Sequence, residues 1–342
     1  MAVTVRSYGK INLGLVLGAP RRDGYHELRT CYSTIGLHDT IKVERQRGTG
    51  IELRARAAKD EEASAELARR FPTDESNTCY RVLERLMRHI RGHMKVAVTV
   101  EKRLPVQGGL GAASSNAVAT LLAAERELDH ELRPEERYEL CAEIGSDVPQ
   151  FLIGGLSLGI GRGEQVFPLQ DLRAMPMVAV APGIGVSTPQ AFRDWDKLME
   201  YDAEPPQYGS GARLTHVEGS DRLDTFSQTV YRWLGHVHTG VPAEGGNLAE
   251  APLLDLVRAG IENDFERVVF PQHPELREIK RALERAGASF SSLSGSGSTM
   301  FGIFESQEKA EAAARKFVED GRRAYKTSTL PRGEYWKTFW VK

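Results

Sequence analysis

The sequence is poor in cysteine. Its 342 residues include three, Cys31, Cys79 and Cys141, and none of them belongs to a CxxC pair. An odd number of widely separated cysteines argues against a disulfide framework and against a zinc-binding cluster. We therefore expect three small, buried hydrophobic side chains in a reducing, cytoplasmic compartment.

Long hydrophobic runs and an excess of one charge are also missing. No stretch approaches the roughly 20 apolar residues that span a bilayer, and the first residues do not resemble a signal peptide. The formal net charge is -2, which gives too weak a field to attract nucleic acid or an anionic membrane. We expect neither as a partner, so phosphate chemistry would have to come from a local site.

Hydrophobic periodicity predicts strands and helices along a chain long enough for roughly two domains. Two short strands, 41–43 and 51–53, are predicted to form a hairpin across Gly48 and Gly50. Other strands are predicted at 2–17, 96–100, as a pair within 154–166, and at 177–183, where a second domain would open. Helices are predicted at 76–91, 117–128, between Pro134 and Gly145, at 274–287 and at 306–319.

Residues 200–246 are the least regular part of the chain. They are rich in glycine, proline, serine and charge, with an amphipathic patch at 230–234. We interpret this segment as an insertion that acts as a lid, a dimer contact or a passive loop.

The first candidate site is a glycine-rich segment between a strand and a helix, residues 105–116. Gly108, Gly109 and Gly111 are followed by Ser114 and Ser115, either of which suits a helix cap. Backbone N–H groups and the helix dipole bind phosphate at such an N-terminus, and glycine allows close approach. Walker and GxGxxG motifs are not met. The alternative is a glycine turn that only joins a strand to a helix.

Three further features suit phosphoryl transfer. SGSGS at 294–298 is a second glycine turn, which can close over phosphates held by the first. Asp147 follows a helix end, and Lys10 sits in an otherwise apolar strand. A carboxylate can accept the proton of an attacking hydroxyl while a cation neutralises developing charge. The alternatives are a flexible turn, a solvent-facing aspartate and a surface lysine.

Together these segments resemble a known superfamily. GKINL at 9–13, PVQGGLGAASSN at 105–116 and SGSG at 294–297 are similar to the three motifs of the GHMP kinases, which include galactose, homoserine and mevalonate kinases. RDGYHEL at 22–28 and GSDVPQF at 145–151 look specifically like the 4-diphosphocytidyl-2-C-methyl-D-erythritol kinase family. KRLP at 102–105 and END at 262–264 are further similarities.

The resemblance implies a two-domain α+β fold with the active site between the domains. Residues 1–170 would form a ribosomal-protein-S5-domain-2-like domain that binds ATP. Residues 171–342, with the insertion at about 200–246, would form a ferredoxin-like domain. The implied reaction moves the γ-phosphate of ATP to the 2-hydroxyl of a small molecule with a cytidine diphosphate moiety. A monomer or a homodimer would carry it out.

Two alternatives stay open beside this activity. Another GHMP kinase, acting on mevalonate or a sugar, is disfavoured by DGYHEL. A non-catalytic binding protein on the same scaffold is disfavoured by the presence of both Lys10 and Asp147.

The resemblance also assigns roles at the reacting centre. Asp147 would be the general base, and Lys10 would orient the hydroxyl and stabilise charge. Asn12 and Thr188 would position the methylerythritol portion, and Gly295 and Gly297 would support the closed cleft. Mg²⁺ would arrive with ATP, held mainly by phosphates and water, because the sequence shows no carboxylate cage. No protein metal site is expected.

The remaining assignments concern the two nucleotides. Phosphates would be held by Pro105, Gly108, Gly109, Gly111, Ala112, Ala113, Ser114 and Ser115, with Asn77 and Lys102 near adenine. The family commonly has glycine at positions 107, 112 and 113, so the loop should be stiffer here.

The cytidine ring would lie between Tyr25 and Phe192, with His26 on its edge. An aromatic stacking face beside a histidine suits a pyrimidine on physical grounds too. An ordinary turn after Asp23 and Gly24 is the alternative.

Overall fold

The computed structural model describes residues 2–58, 62–90, 94–106, 108–171, 173–199, 213–238 and 261–342. Within these residues the strands form a seven-stranded and a four-stranded sheet. The first contains β1 (Val3–Pro20), β2 (His26–Gln46), β3 (Gly50–Ala57), β4 (Lys95–Lys102), β5 (Leu156–Ile160), β6 (Gln165–Pro168) and β11 (Trp340–Val341). The second contains β7 (Pro176–Ala181), β8 (Phe290–Leu293), β9 (Met300–Ile303) and β10 (Arg323–Ser328).

The first sheet is organised around two long antiparallel strands, β1 and β2. Its order is β11-β1-β2-β4-β3, with β5 paired to β2 and β6 to β5. The last strand returns to the first, where Val5 pairs with Trp340. The second sheet has the order β10-β7-β9-β8. The strands predicted at 2–17, 96–100, 154–166 and 177–183 are confirmed, whereas a domain boundary at residue 170 stays a prediction.

The predicted hairpin of residues 41–43 with 51–53 is wrong. Strand β4 lies between β2 and β3: Val98 pairs with Val43 on one side and with Leu53 on the other. The β3–β4 pair is parallel. Alternation of polar and apolar residues identifies a strand but does not indicate which strand it pairs with. The three valines of β4 are fully buried, which suits a strand that lies between two others.

The helices predicted at 76–91, 117–128, 134–145, 274–287 and 306–319 are confirmed, and the structure adds others that were not predicted. The helices are α1 (Glu62–Arg69), α2 (Thr78–His89), α3 (Ala112–Leu128), α4 (Pro134–Ile144), α5 (Gln150–Ile153), α6 (Thr188–Leu198), α7 (Arg213–His238), α8 (Phe265–Gln272), α9 (Pro274–Arg285), α10 (Gln307–Glu319) and α11 (Arg332–Phe339). Asn77 caps α2 by accepting a hydrogen bond from Cys79 N at 2.8 Å. Pro134 opens α4 and Gly145 ends it, as predicted.

The cap predicted for α3 is wrong. The helix begins at Ala112, and its N-cap is Gly111, in the left-handed region with φ 69°. Ser114 and Ser115 therefore lie inside the helix. A glycine can adopt this conformation at low cost, so the helix starts earlier than a side-chain cap would allow.

Each sheet buries one face under helices. Helices α2 and α3 cover the first sheet, where Val82 and Leu121 pack in one cluster with Val98. Helices α9 and α10 cover the second sheet, where Ile279 and Phe317 share a cluster with Val180. The three cysteines are free and buried, as predicted.

Part of the segment interpreted as an insertion is the helix α7. Its apolar face, Leu223, Phe226, Val230 and Trp233, is buried. A Cβ on Gly18 of β1 would come 2.8 Å from Leu223 Cδ1, so the helix packs directly on that strand. The predicted patch at 230–234 is confirmed for Val230 and Trp233. Residues 200–212 and 239–246 lie outside the described residues.

Candidate active site

A cavity of about 950 Å³ opens beside β1, where the loops of both sheets meet. Every predicted site residue except Ser115 lines it: Lys10, Asn12, Tyr25, His26, Asn77, Lys102, Pro105, Gly108, Gly109, Gly111, Ala112, Ala113, Ser114, Asp147, Thr188, Phe192, Gly295 and Gly297. Segments as far apart as residues 10 and 297 thus share one wall.

The first glycine loop, residues 105–111, leads into α3 at the cavity. Lys10 N donates to Leu110 O at 2.9 Å, which ties the loop to β1. A Cβ on Gly111 would lie 2.9 Å from Lys10 Cγ and 3.0 Å from Phe151 Cζ, so a glycine is needed here. The first backbone N–H groups of a helix have no partner within it. The loop therefore presents donors and a positive dipole end to the cavity. Residue 107 lies outside the described residues.

Ser115 does not line the cavity. Its hydroxyl is 2.6 Å from Ser7 Oγ in the core, and its backbone N–H donates to Gly111 O. Because α3 starts at Ala112, residue 115 is one turn inside the helix and points away from the cavity. Ser114 is the serine of this pair that reaches it.

The second glycine loop, residues 294–298, lies against the first. Thr299 N donates to Gly108 O at 3.1 Å, and Ser294 Oγ donates to Gly109 O at 3.0 Å. A Cβ on Gly109 would fall 2.1 Å from Ser294 O. The two loops can approach this closely only because position 109 has no side chain.

Lys10 and Asp147 form the polar centre of the cavity. Lys10 Nζ is 3.1 Å from Asp147 Oδ2 and donates to Asn12 Oδ1 at 2.6 Å. The lysine side chain is 3% exposed, whereas that of Asp147 is 38% exposed. The cation is thus buried beneath a carboxylate that faces open space.

Three residues near this centre were not predicted from the sequence. Tyr32 donates to Asp147 Oδ1 at 2.9 Å. Asn263 holds the second glycine loop by donating to Leu293 O and Gly295 O at 2.7 and 2.8 Å. Thr30 accepts from Asn12 Nδ2 at 2.8 Å. The END segment at 262–264 was a signal for Asn263, although it gave no role.

Tyr25, His26 and Phe192 lie at another part of the wall. His26 and Phe192 stack with ring centroids 4.6 Å apart, and His26 Nε2 is 2.6 Å from Asp196 Oδ1. Tyr25 is 48% exposed, with the guanidinium of Arg162 4.6 Å from its ring centre. Phe192 therefore stacks on His26. The predicted arrangement, with the cytidine ring between Tyr25 and Phe192, requires that ring to enter from the cavity.

Lys102 and Asn77 line the cavity, and the polar groups of their side chains already bind other parts of the protein. Lys102 is 1% exposed and forms an ion pair with Asp39, which also accepts from Arg103 N and Leu104 N. Asn77 donates to Pro72 O at 2.5 Å besides capping α2. Both residues thus shape the wall next to the first glycine loop.

The part of the chain that the structure describes holds no group of three or more His, Cys, Asp or Glu side chains that could bind a metal ion. No helix among the described residues is long and apolar enough to cross a membrane.

Comparisons with known proteins agree with this geometry. Residues 77–155 match the GHMP kinases N terminal domain, and residues 248–323 match GHMP kinases C terminal. A protein of Solibacter usitatus named 4-diphosphocytidyl-2-C-methyl-D-erythritol kinase is 36% identical, over 97% of this chain and 90% of that protein. One of the same name from Chloroherpeton thalassium is 31% identical, over 97% and 98%.

Solved structures give the same result. A 4-(cytidine 5'-diphospho)-2C-methyl-D-erythritol kinase matches with a TM-score of 0.67 and 26% identity, over 96% of this chain and 99% of that one. A homoserine kinase from Cytophaga hutchinsonii, at 18% identity and a TM-score of 0.63, shares the fold. The predicted GHMP kinase fold is confirmed, and the chain belongs to the 4-diphosphocytidyl-2-C-methyl-D-erythritol kinase family within the GHMP kinases.

Proposed function

We propose that this chain transfers the γ-phosphate of ATP to the 2-hydroxyl of 4-diphosphocytidyl-2-C-methyl-D-erythritol, as a step of isoprenoid biosynthesis. The hydroxyl oxygen forms a bond to the γ-phosphorus while the bond to the β–γ bridging oxygen breaks. ADP leaves, and Asp147 takes the hydroxyl proton. Family membership and the arrangement of the cavity support this reaction.

The pairing of Lys10 with Asp147 carries the proposal. Asp147 is the exposed partner, so its carboxylate can reach a hydroxyl in the cavity, while Lys10 is fixed by Asn12 below it. A carboxylate accepts the proton as the oxygen attacks, and the ammonium stabilises the negative charge that develops. Both groups are held by protein contacts, which would limit reorganisation during the reaction.

The triphosphate would lie across the N-terminus of α3. The N–H groups of the first turn and the first glycine loop supply donors, and the second glycine loop lies next to them. Mg²⁺ retains several waters and needs few protein ligands, so it would be held mainly by phosphate oxygens and water, with the Ser114 hydroxyl on the cavity wall as the protein oxygen that fits it. The metal would neutralise the charge of the β- and γ-phosphates.

The cytidine end would lie at Tyr25, His26 and Phe192. The Asp196 carboxylate fixes the His26 ring through Nε2, and Phe192 packs on its face. An oriented imidazole and the exposed face of Tyr25 would then recognise a pyrimidine. Thr188 and Asn12 lie on the wall as well, where they would contact the methylerythritol portion.

The test is ADP formation by the purified protein with ATP and Mg²⁺. We expect turnover with the diphosphocytidyl substrate and a phosphate on its 2-hydroxyl by ³¹P NMR, with no turnover on mevalonate or galactose. Turnover on either of those instead would favour another GHMP kinase. Ligand binding without ADP formation would indicate a non-catalytic binding protein. A cytoplasmic location and a monomeric or homodimeric state are also proposed.

A further inference from the structure

The hydroxyl group of Tyr32 lies directly against the proposed base. Tyr32 belongs to β2, is 1% exposed and lines the cavity. Its hydroxyl donates to Asp147 Oδ1 at 2.9 Å and lies 3.4 Å from Gly163 O. A buried phenol thus reaches out of the sheet to a carboxylate 115 residues along the chain.

The two oxygens of Asp147 are held from different sides. Lys10 contacts Oδ2 at 3.1 Å, and Tyr32 contacts Oδ1 at 2.9 Å. The Lys10 ammonium also lies 5.6 Å from the centre of the Tyr32 ring, so the three groups pack as one cluster. A carboxylate held at both oxygens cannot rotate freely, and its remaining lone pairs keep one direction.

We propose that Tyr32 is a positioning residue for phosphoryl transfer, whose hydroxyl fixes the orientation of the Asp147 carboxylate. The inference rests on the proposed function. Lys10 contributes positive charge to the reacting centre, and Tyr32 fixes the direction in which the Asp147 carboxylate faces.

Tyr32 itself does not serve as the base. Burial, and next the negative charge of Asp147, raise the pKa of its hydroxyl well above the ordinary value. The phenol therefore remains protonated at neutral pH and acts as a hydrogen-bond donor.

The turn between β5 and β6 also packs against the Tyr32 phenol. Leu28 N donates to Gly161 O at 2.7 Å, which ties the turn to β2. Gly163 has φ 106°, and a Cβ there would lie 2.6 Å from Tyr32 Oη and 3.9 Å from Asp147 Oδ1. The glycine leaves the space that the hydroxyl needs to reach the carboxylate.

The test is Tyr32→Phe, which removes the hydroxyl and keeps the ring in the wall. We expect kcat to fall about tenfold, because a hydrogen bond to a charged group is lost, with the KM values for both substrates within about twofold.

Tyr335→Phe is the matched control. Tyr335 is also fully buried and donates its hydroxyl to a main-chain oxygen, Phe151 O, at 2.8 Å, but it does not line the cavity. We expect this variant to lose stability without changing kcat. An unchanged kcat in Tyr32→Phe, or an equal fall in kcat in both variants, would overturn the proposal. An inactive wild-type protein would instead contradict the proposed function.

A second pair of variants tests the same contact without changing Tyr32. Gly163→Ala places a methyl group against the phenol, whereas Gly161→Ala in the same turn, at φ 72°, meets the Glu164 side chain at 3.1 Å. Both substitutions strain the backbone, so a difference in kcat between the two variants reports the contact with the Tyr32 hydroxyl. We expect Gly163→Ala to lower kcat as Tyr32→Phe does, with KM values nearly unchanged, and Gly161→Ala to leave kcat unchanged. An unchanged kcat in Gly163→Ala would count against the positioning role.

Discussion

The two ends of the cavity are built differently. At the reacting end, formed by Lys10, Asp147 and Tyr32, every polar group is bonded to another in the same cluster, and two of the three residues are buried. At the pyrimidine end, formed by Tyr25, His26 and Phe192, one ring is held by a carboxylate and Tyr25 is half exposed. The reacting end is thus held together by its own contacts, whereas the pyrimidine end presents an exposed ring surface to the cavity.

This difference follows from what each end is proposed to do. Proton transfer and phosphoryl transfer need groups fixed to within fractions of an ångström, so the supporting contacts come from the centre of the first sheet. Recognition of a ring by stacking tolerates more freedom. We therefore expect substitutions at the reacting end to change kcat, and those at the pyrimidine end to change the KM of one substrate.

The largest effect is expected for Asp147→Asn. The amide keeps the volume and can still accept from Tyr32, but it cannot take a proton. We expect kcat to fall about 10²–10⁴-fold, as for loss of a general base. Binding of both substrates, measured by calorimetry, should stay within about twofold.

Asp171→Asn is the control for that change, since Asp171 accepts from Arg332 N and Gly333 N outside the cavity. Full turnover of Asp147→Asn would show that the carboxylate is not the general base. The proposed difference between the two ends of the cavity would then not hold at the reacting end.

The next largest effect is expected for Gly111→Ala. The methyl group would meet both Lys10 and Phe151, in a left-handed backbone. We expect a loss of about 2–4 kcal/mol in the free energy of unfolding by urea, from overpacking and strain together. The KM for ATP should rise, because the first turn of α3 is displaced.

Gly321→Ala separates these two causes. Gly321 has φ 74°, but a Cβ there meets nothing within 4 Å. We expect about 1 kcal/mol from backbone strain alone and no change in the KM for ATP. Equal losses in the two variants would show that crowding against Lys10 is unimportant.

Much of the reacting end could be predicted because it consists of short local motifs. Lys10, Gly111 and Asp147 each lie in a segment whose residue types suit one task, and the resemblance to a family brought them together. Tyr32 lies in a plain strand, and its hydrogen bond spans 115 residues. No periodicity within β2 indicates that partner, because the contact depends on how the α4–α5 turn packs on the sheet.

The errors have related causes. The β3–β4 pairing is a long-range choice that alternation does not encode. The start of α3 depended on whether a serine or a glycine is the N-cap, and both residue types are favoured at that position. At the pyrimidine end, Asp196 was missed because it is 170 residues from His26 and resembles any polar residue on a helix surface.

A smaller effect is expected for His26→Ala, at the pyrimidine end. Loss of the oriented imidazole should raise the KM for the diphosphocytidyl substrate about tenfold, the value of one or two hydrogen bonds, and leave the KM for ATP unchanged. Asp196→Asn should change the same KM in the same direction by less, because the ring remains but is held less firmly.

His38→Ala is the matched control, since His38 packs at a tilt against Tyr8 outside the cavity wall and its Nδ1 lies 2.8 Å from Gly36 O. Equal changes in both KM values after His26→Ala would refute the assignment of this end to a pyrimidine.

The smallest effect is expected from thiol reagents, which test whether the reacting end is as rigid as proposed. Cys31 precedes Tyr32 in β2 and is fully buried, and burial raises its pKa to about 12. At pH 8 fewer than about one such thiol in a thousand is ionised. We expect no reaction of the native protein with Ellman's reagent and no loss of activity, with three thiols released in denaturant. Rapid labelling of Cys31 that substrate suppresses would mean that β2 opens when no substrate is bound. The reacting end would then be no more rigid than the pyrimidine end.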